Sequence, residues 1–230
     1  LTALGELQGI LGVTFKDDSL LQQALIHRSY LNENPALHLF SNERLEFLGD
    51  AVLGFVVANE LYCRFPDFSE GELTNLRSAL VCGDTLSKIA LSLHLGDYLY
   101  LGHGEEESGG RTRSRNLSCV LEAVIGAVFI DQGFDIARNF ILNILSMKLE
   151  QAATEKLQSD YKSRLQQLIQ SESKVTPVYR TIEEVGPDHA KVFTVEVLAG
   201  NSVLGRGNGR SKREAEMDAA RQALQDLKRG

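Results

Sequence analysis

The run Asn42-Glu43-Arg44-Leu45-Glu46-Phe47-Leu48-Gly49-Asp50 sets carboxylates at Glu43, Glu46 and Asp50, a spacing of i, i+3 and i+7. On a helix turning about 100° per residue the three fall within roughly 60° of one another, so they share one face. Like charges crowded among Leu45, Phe47, Leu48, Ala51, Val52 and Leu53 are costly unless something neutralises them. The economical neutraliser is a hard divalent cation held by oxygen ligands, and Mg²⁺ is the expected ion. A solvated acidic stripe is the ordinary alternative, but those apolar flanks leave little polar surface for a helix that simply faces water.

Such a face must be positioned by other elements, and the pattern supplies them. Apolar residues recurring at the helical period predict helices over 19–29, 43–62, 69–81, 84–93, 117–131 and 134–149, so the first part of the chain reads as all-α. Ser69-Glu70-Gly71-Glu72 has the spacing of a capping box, which gives Glu72 a purely local task. Residues 102–116 read as a loop, and Arg111, Arg113 and Arg115 follow the flexible Gly109-Gly110 pair. That arrangement suits a phosphate-gripping arm, with a solvated charge run as the equal alternative.

A change of composition at 151–159 marks a linker between residues 1–150 and residues 160–230. Beyond it the chain predicts a helix over 160–171, strands over 178–185, 190–198 and 202–207, and a last helix over 211–227. That order, α-β-β-β-α, describes a small α+β domain with both helices on one face of an antiparallel sheet.

The whole chain has 230 residues, 43% of them hydrophobic and 24% charged, which is the composition of an ordinary globular protein. Its net charge of −7 is unevenly spread. Residues 1–159 hold 12 Lys and Arg against 21 Asp and Glu, whereas residues 160–230 hold 12 against 10. The tail is thus the surface suited to approach phosphates, and the body is acidic. Cys63, Cys82 and Cys119 are odd in number and unpaired by motif, which argues against a disulfide framework or a zinc knuckle. The first residues carry no basic cluster and are broken by Gly5, Gly9 and Gly12, so neither a signal peptide nor a membrane span is expected. A cytoplasmic location is the default expectation.

Five blocks of sequence carry a family resemblance. These are Asn42 to Asp50, Ala24-Leu25-Ile26-His27-Arg28-Ser29-Tyr30, Gly71-Glu72-Leu73-Thr74 with Arg77, Gly102-His103-Gly104-Glu105-Glu106 through Arg111, and Leu121-Glu122-Ala123-Val124-Ile125-Gly126. Taken in their order along the chain they resemble the ribonuclease III family, and the tail resembles a double-stranded-RNA-binding domain through Gly186-Pro187-Asp188-His189 and Ser211-Lys212-Arg213-Glu214-Ala215-Glu216. The resemblance implies an all-α endonuclease domain followed by a small α+β domain. It also implies Mg²⁺-dependent hydrolysis of phosphodiesters in duplex RNA, giving 5′-phosphate and 3′-hydroxyl ends.

Carried over residue by residue, it makes Glu46, Asp50 and Glu122 metal ligands and gives Glu43 and Glu70 a supporting role toward the substrate or a second metal. Phe47 becomes a contact inserted into the partner of a homodimer. One position departs: where the family places an aspartate one turn before Glu122, this chain has Cys119. Sulfur is a poor ligand for Mg²⁺, so metal binding is expected to be weakened, with Mn²⁺ tolerated better. A buried inert thiol, with water in place of the missing oxygen, is the equal alternative. Cys119 also supports a second reading of the whole chain, a duplex-RNA-binding protein with weakened or lost cleavage. Against it stands the retention of five acids whose clustering has no other task.

Duplex RNA is read through phosphates and 2′-hydroxyls across its minor groove. Lys212 and Arg213 at the start of the last helix, joined by Arg210, are the expected phosphate contacts. His189, Gln166 and Gln167 are the expected ribose contacts.

Overall fold

The computed structural model describes residues 3–187 and 191–227, without the side chains of 152–160 and 172. The chain opens on helices α1 (Ala3–Leu11), α2 (Asp18–Ala24) and α3 (Arg28–Glu33), followed by α4 (Glu43–Arg64), α5 (Glu70–Val81) and α6 (Gly83–Ser92). Next come α7 (His103–Glu107), α8 (Ser114–Gln132) and α9 (Phe134–Ser173). Strands β1 (Val178–Val185), β2 (Val192–Ala199) and β3 (Ser202–Gly209) and helix α10 (Lys212–Leu227) complete it. Residues 1–149 and 150–230 form two compact units.

In the first unit, α8 is apolar over more than half of its circumference, with Leu117, Val120, Leu121, Ala123, Val124, Ile125, Ala127 and Val128 all buried, and its remaining side carries Arg115, Cys119 and Glu122. A helix with so wide an apolar side becomes the centre of the bundle and keeps one narrow polar side for the site. Against it α4 packs Leu45, Gly49, Val52, Val56 and Leu53, a set at helical spacing. Helix α8 ends where the Gly133 N–H bonds the Phe129 carbonyl at φ +83°, a left-handed terminus that glycine adopts without strain. Helix α5 starts on the expected capping box, with the Ser69 hydroxyl and the Glu72 carboxylate each accepting from the other's backbone N–H.

Two expectations are corrected. The 102–116 segment is not a plain loop, because α7 forms within it and α8 begins at Ser114. The expected linker, 151–159, is helical, since α9 runs through it. The composition changes there, yet the segment Gln151-Ala152-Ala153-Thr154-Glu155-Lys156-Leu157-Gln158-Ser159 has no glycine or proline to stop a helix.

The second unit is a three-stranded antiparallel sheet in the order β1-β2-β3, with a core of Leu165, Ile169, Val195, Val197, Ala215, Ala219, Ala220 and Ala223. Gly205 and Gly207 let β3 approach α10 closely: a Cβ on Gly207 would lie 2.1 Å from the Ala219 nitrogen. Among the described residues no helix is long and apolar enough to cross a membrane.

Candidate active site and nucleic-acid interface

The acidic centre is made by the crossing of α4 and α8. At Gly49 a Cβ would stand 1.8 Å from the carbonyl oxygen of Glu122, and at Gly126 one would stand 2.2 Å from that of Leu45. Two glycines thus let the helix backbones touch, one turn beyond Glu46 on α4 and one turn beyond Glu122 on α8. Side chains of a helix lean toward its N-terminus, so the residues preceding the crossing converge. Glu46, Cys119 and Glu122 accordingly bring one ligand atom each within 4.8 Å of the others, all partly buried.

The charges are poorly matched. Burial, then the charges of Asp50 and Glu46, push the Glu122 carboxyl up to about 7, and Arg115 opposes them. Cys119 is pushed up to about 12 by burial, by its hydrogen bond with Glu46 and by the charges of Glu46 and Glu122. It is therefore a neutral S–H group that adds no charge to the site. Asp50 is solvent-exposed and close enough to Glu122 to act on it electrostatically.

A cleft of about 430 Å³ opens beside this centre, lined by Glu46 and Cys119 together with His27, Arg28, Glu43, Glu105 and Arg115. Glu43 accepts the Ser41 hydroxyl at 3.0 Å and faces the Arg28 guanidinium at 3.8 Å. Glu70, expected to support the same chemistry, is elsewhere in the chain. It accepts the Thr74 hydroxyl at 3.0 Å and lines a second groove with Tyr62, Phe68 and Arg77.

Arg111 and Arg113 of the expected phosphate-gripping arm are engaged within the protein. Arg111 binds Glu106 at 2.7 Å and donates to the carbonyls of Gly96 and Leu99, both at 3.0 Å. Arg113 pairs with Glu105 and donates to Ser108 Oγ at 3.0 Å. Asn116 completes the knot through Glu105 at 2.8 Å. Both arginines fasten α7 and the 108–113 turn to the body, and Arg115 is the one whose charge reaches the acidic centre. Their partners are assembled by tertiary closure, which charge spacing alone does not reveal.

Phe47 is 80% exposed, and the sequence reading missed that Phe55 (60%) and Tyr62 (73%) stand on the same side of α4. The signal was available, since offsets of 8 and 15 residues return to within roughly 80° of the starting direction. The Phe55 ring also meets that of Phe134, with centroids 5.8 Å apart.

In the second unit Gln166 and Gln167 are exposed on α9, beside the inward-facing Leu165 and Ile169. Lys212 opens α10, pairs with Glu184 at 2.9 Å and lies 5.6 Å from the Phe193 ring centroid. Arg213 and Arg210 are exposed, and the Arg210 N–H donates to Glu214 at 2.8 Å. His189 lies outside the described residues.

Residues 17–149 match the model of a ribonuclease-III-like family, and residues 161–227 match that of the double-stranded RNA binding motif. A protein called ribonuclease 3 from Dehalococcoides mccartyi (strain CBDB1) is 50% identical over 224 residues, covering 97% of this chain and 94% of its own. Another ribonuclease 3, from Roseiflexus sp. (strain RS-1), is 50% identical over 230 residues, covering 99% of this chain and 97% of its own. Among solved structures, the nuclease domain of ribonuclease III from Campylobacter jejuni superposes with a TM-score of 0.58 at 42% identity. It covers 62% of this chain and 95% of the solved one, and is described as flexible in a region involved in dimer formation.

Proposed function

The chain belongs to the ribonuclease III family and is a divalent-metal-dependent endoribonuclease of double-stranded RNA, and from that premise we propose that the crossing of α4 and α8 is its reaction centre. The observation that carries the assignment is the convergence of Glu46 and Glu122 at a backbone contact between two helices, with Asp50 beside them. A partly buried Glu122 whose pKa is raised by burial and by the charges of Asp50 and Glu46 fits a bound dication, which removes their repulsion. Glu46, Asp50 and Glu122 would hold the ion. Mg²⁺ is the ion expected with such oxygen donors, and Mn²⁺ is better tolerated because Cys119 withholds a charge and an oxygen. Held by these carboxylates, the ion would supply Lewis-acid polarisation of the phosphoryl group and a lowered pKa for an attacking water.

The chain's own residues do the rest. Arg115 offsets the acidic charge at the mouth of the cleft, so a phosphodiester can approach carboxylates that would otherwise repel it. Glu43 keeps Arg28 at the opposite wall. Residues 160–230 supply affinity, with Arg213 and Arg210 as phosphate contacts and Gln166, Gln167 and His189 as ribose contacts. Residues 1–150 supply cleavage.

The binding-only alternative is not favoured, given how closely the chain follows ribonuclease 3 proteins along nearly its whole length. A homodimer is supported by Phe47, Phe55 and Tyr62, an apolar row on α4 facing water, and by the dimer-forming region described for the Campylobacter jejuni domain. Two-fold symmetry would give each strand of a duplex its own site. A cytoplasmic location is retained as part of this reading.

The test compares the full chain with Glu122→Gln on a long RNA duplex and on its single strands, with Mg²⁺, with Mn²⁺ and with chelator. Cleavage confined to the duplex and metal, and lost in the variant, is expected. Normal cutting by Glu122→Gln would remove the assignment of the centre.

A further inference from the structure

His27 stands at the N-terminus of α3, in the cleft beside Glu46 and Arg115 but apart from the acidic cluster. Its Nδ1 accepts the Ser29 backbone N–H at 3.2 Å and lies 2.7 Å from Ser29 Oγ. That hydroxyl in turn accepts the Gly102 N–H at 2.9 Å, so its own proton is directed at Nδ1. With two donors pointed at it, Nδ1 is an acceptor and the ring proton resides on Nε2. Burial favours the same neutral form, seconded by Arg28 and Arg113 and opposed by Glu105 and Glu43. Among the described residues Nε2 has no hydrogen-bond partner. The backbone around the ring is fixed as well: the His27 N–H bonds the Tyr100 carbonyl at 3.1 Å, and the Tyr100 N–H bonds that of Leu25 at 2.9 Å.

We propose that His27 binds substrate, its Nε2–H donating to a backbone oxygen of the RNA strand in the cleft. This rests on the cleft being the reaction centre. A neutral donor suits the place, because it adds affinity for an RNA oxygen without drawing off the carboxylates as another cation would. It also accounts for an imidazole serving as helix cap, a task that asparagine or serine performs without a second nitrogen.

Two substitutions divide the ring's tasks. His27→Asn keeps an acceptor where Nδ1 was and loses the outer donor; His27→Gln reaches the outer position and loses the cap. With the full chain and a duplex substrate, His27→Asn should keep the melting temperature while raising KM roughly tenfold, the value of one hydrogen bond to a charged group, with little change in kcat. His27→Gln should melt about 2–4 °C lower and keep a KM near the parent's. Duplexes carrying a single 2′-deoxy or methylphosphonate substitution next to the cut identify the acceptor. The one that weakens the parent but leaves His27→Asn unmoved names the ribose hydroxyl or the phosphate.

An unchanged KM in His27→Asn, or equal damage in both variants, overturns the role. So does a pair of modified duplexes that weaken parent and His27→Asn alike. Glu122→Gln separates the two levels. If it abolishes cleavage while His27→Asn is silent, only the His27 inference fails; if it cuts normally, the cleft is not the reaction centre and both fail.

Discussion

Gly49→Ala is the sharpest probe of how this fold makes its site. The added methyl would lie 1.8 Å from the Glu122 carbonyl oxygen, 2.7 Å from its carbon and 2.9 Å from the Gly126 nitrogen, whereas ordinary contact begins near 3.4 Å. The obstacle is the backbone of a central helix, with no flexible side-chain end to move aside, so α4 and α8 must part by about 1.6 Å along that line. Overpacking in a core typically costs about 1–3 kcal/mol, and a clash with rigid backbone belongs at the upper end. For a chain of this length that corresponds to a melting temperature lower by about 6–12 °C. Parting the helices also widens the cluster of Glu46, Cys119 and Glu122, and a misplacement of about 1 Å can cost on the order of a hundredfold in rate. Scanning calorimetry would give the first quantity, and single-turnover cleavage well below the variant's melting temperature the second. Gly9→Ala on α1, where a Cβ would meet nothing within 4 Å, is the control and should gain up to about 1 kcal/mol. A Gly49→Ala protein that melts with the parent and cuts at the parental rate would refute the reasoning that this backbone contact builds the site.

Cys119→Asp replaces a neutral thiol with a carboxylate beside Glu46 and Glu122, so the Mg²⁺ concentration for half-maximal cleavage should fall by about tenfold or more, and the preference for Mn²⁺ should shrink; a titration that superposes on the parent's would discard the handicap assigned to the thiol. Glu122 has a folded pKa near 7 against an ordinary value of 4.5, so the fold binds its proton more tightly than the unfolded chain does. Metal-free protein should therefore lose stability as pH rises from about 4.5 to about 7, and Glu122→Gln should flatten that segment of a denaturation profile. By the same linkage the metal competes with a proton, and its affinity should weaken as pH falls below about 7, read by calorimetry with proton release. In the second unit Lys212 is already paired with Glu184, whereas Arg213 is exposed, so Arg213→Ala should lower the slope of log affinity against log salt by about 1 on duplexes of any sequence; an unchanged slope measured by fluorescence anisotropy would remove Arg213 from the interface.

What the sequence made legible was local. Strand β1 has the expected bounds, 178–185, because alternation and turn residues settle a strand from its own neighbours. Ser69 and Glu72 form the expected capping box for the same reason. The shared face of Glu46 and Asp50 also followed from helical spacing. The crossing of α4 and α8 did not, although its trace was present: Gly49 lies three residues after Glu46, and Gly126 four after Glu122. A glycine inside a helix costs stability relative to alanine, and at Gly49 and Gly126, unlike Gly9 and Gly54, that cost is met by close approach, which places the neighbouring acids against each other. The partners of Arg111, Arg113 and Glu70 were not read from spacing or resemblance, because Glu106, Glu105 and Thr74 are chosen among several nearby polar groups by how the turns close.

The distribution of charge explains why binding and cutting are given to different parts of the chain. A body with nine more acids than bases over residues 1–159 repels a polyanion, so long-range attraction must come from residues 160–230, where bases exceed acids by two. At the cleft the repulsion is local and concentrated on Glu46, Asp50 and Glu122, where a diffuse basic field cannot cancel it. Only a dication within contact distance can, assisted by Arg115 and by donors such as His27 that bring no charge of their own. Salt therefore acts chiefly on affinity, by screening the tail's phosphate contacts, while a chelator acts on turnover, by returning the carboxylates to a state in which they shun both one another and the RNA. The two dependences are separable because the first belongs to exposed arginines and the second to acids partly withdrawn from water by a pair of glycines.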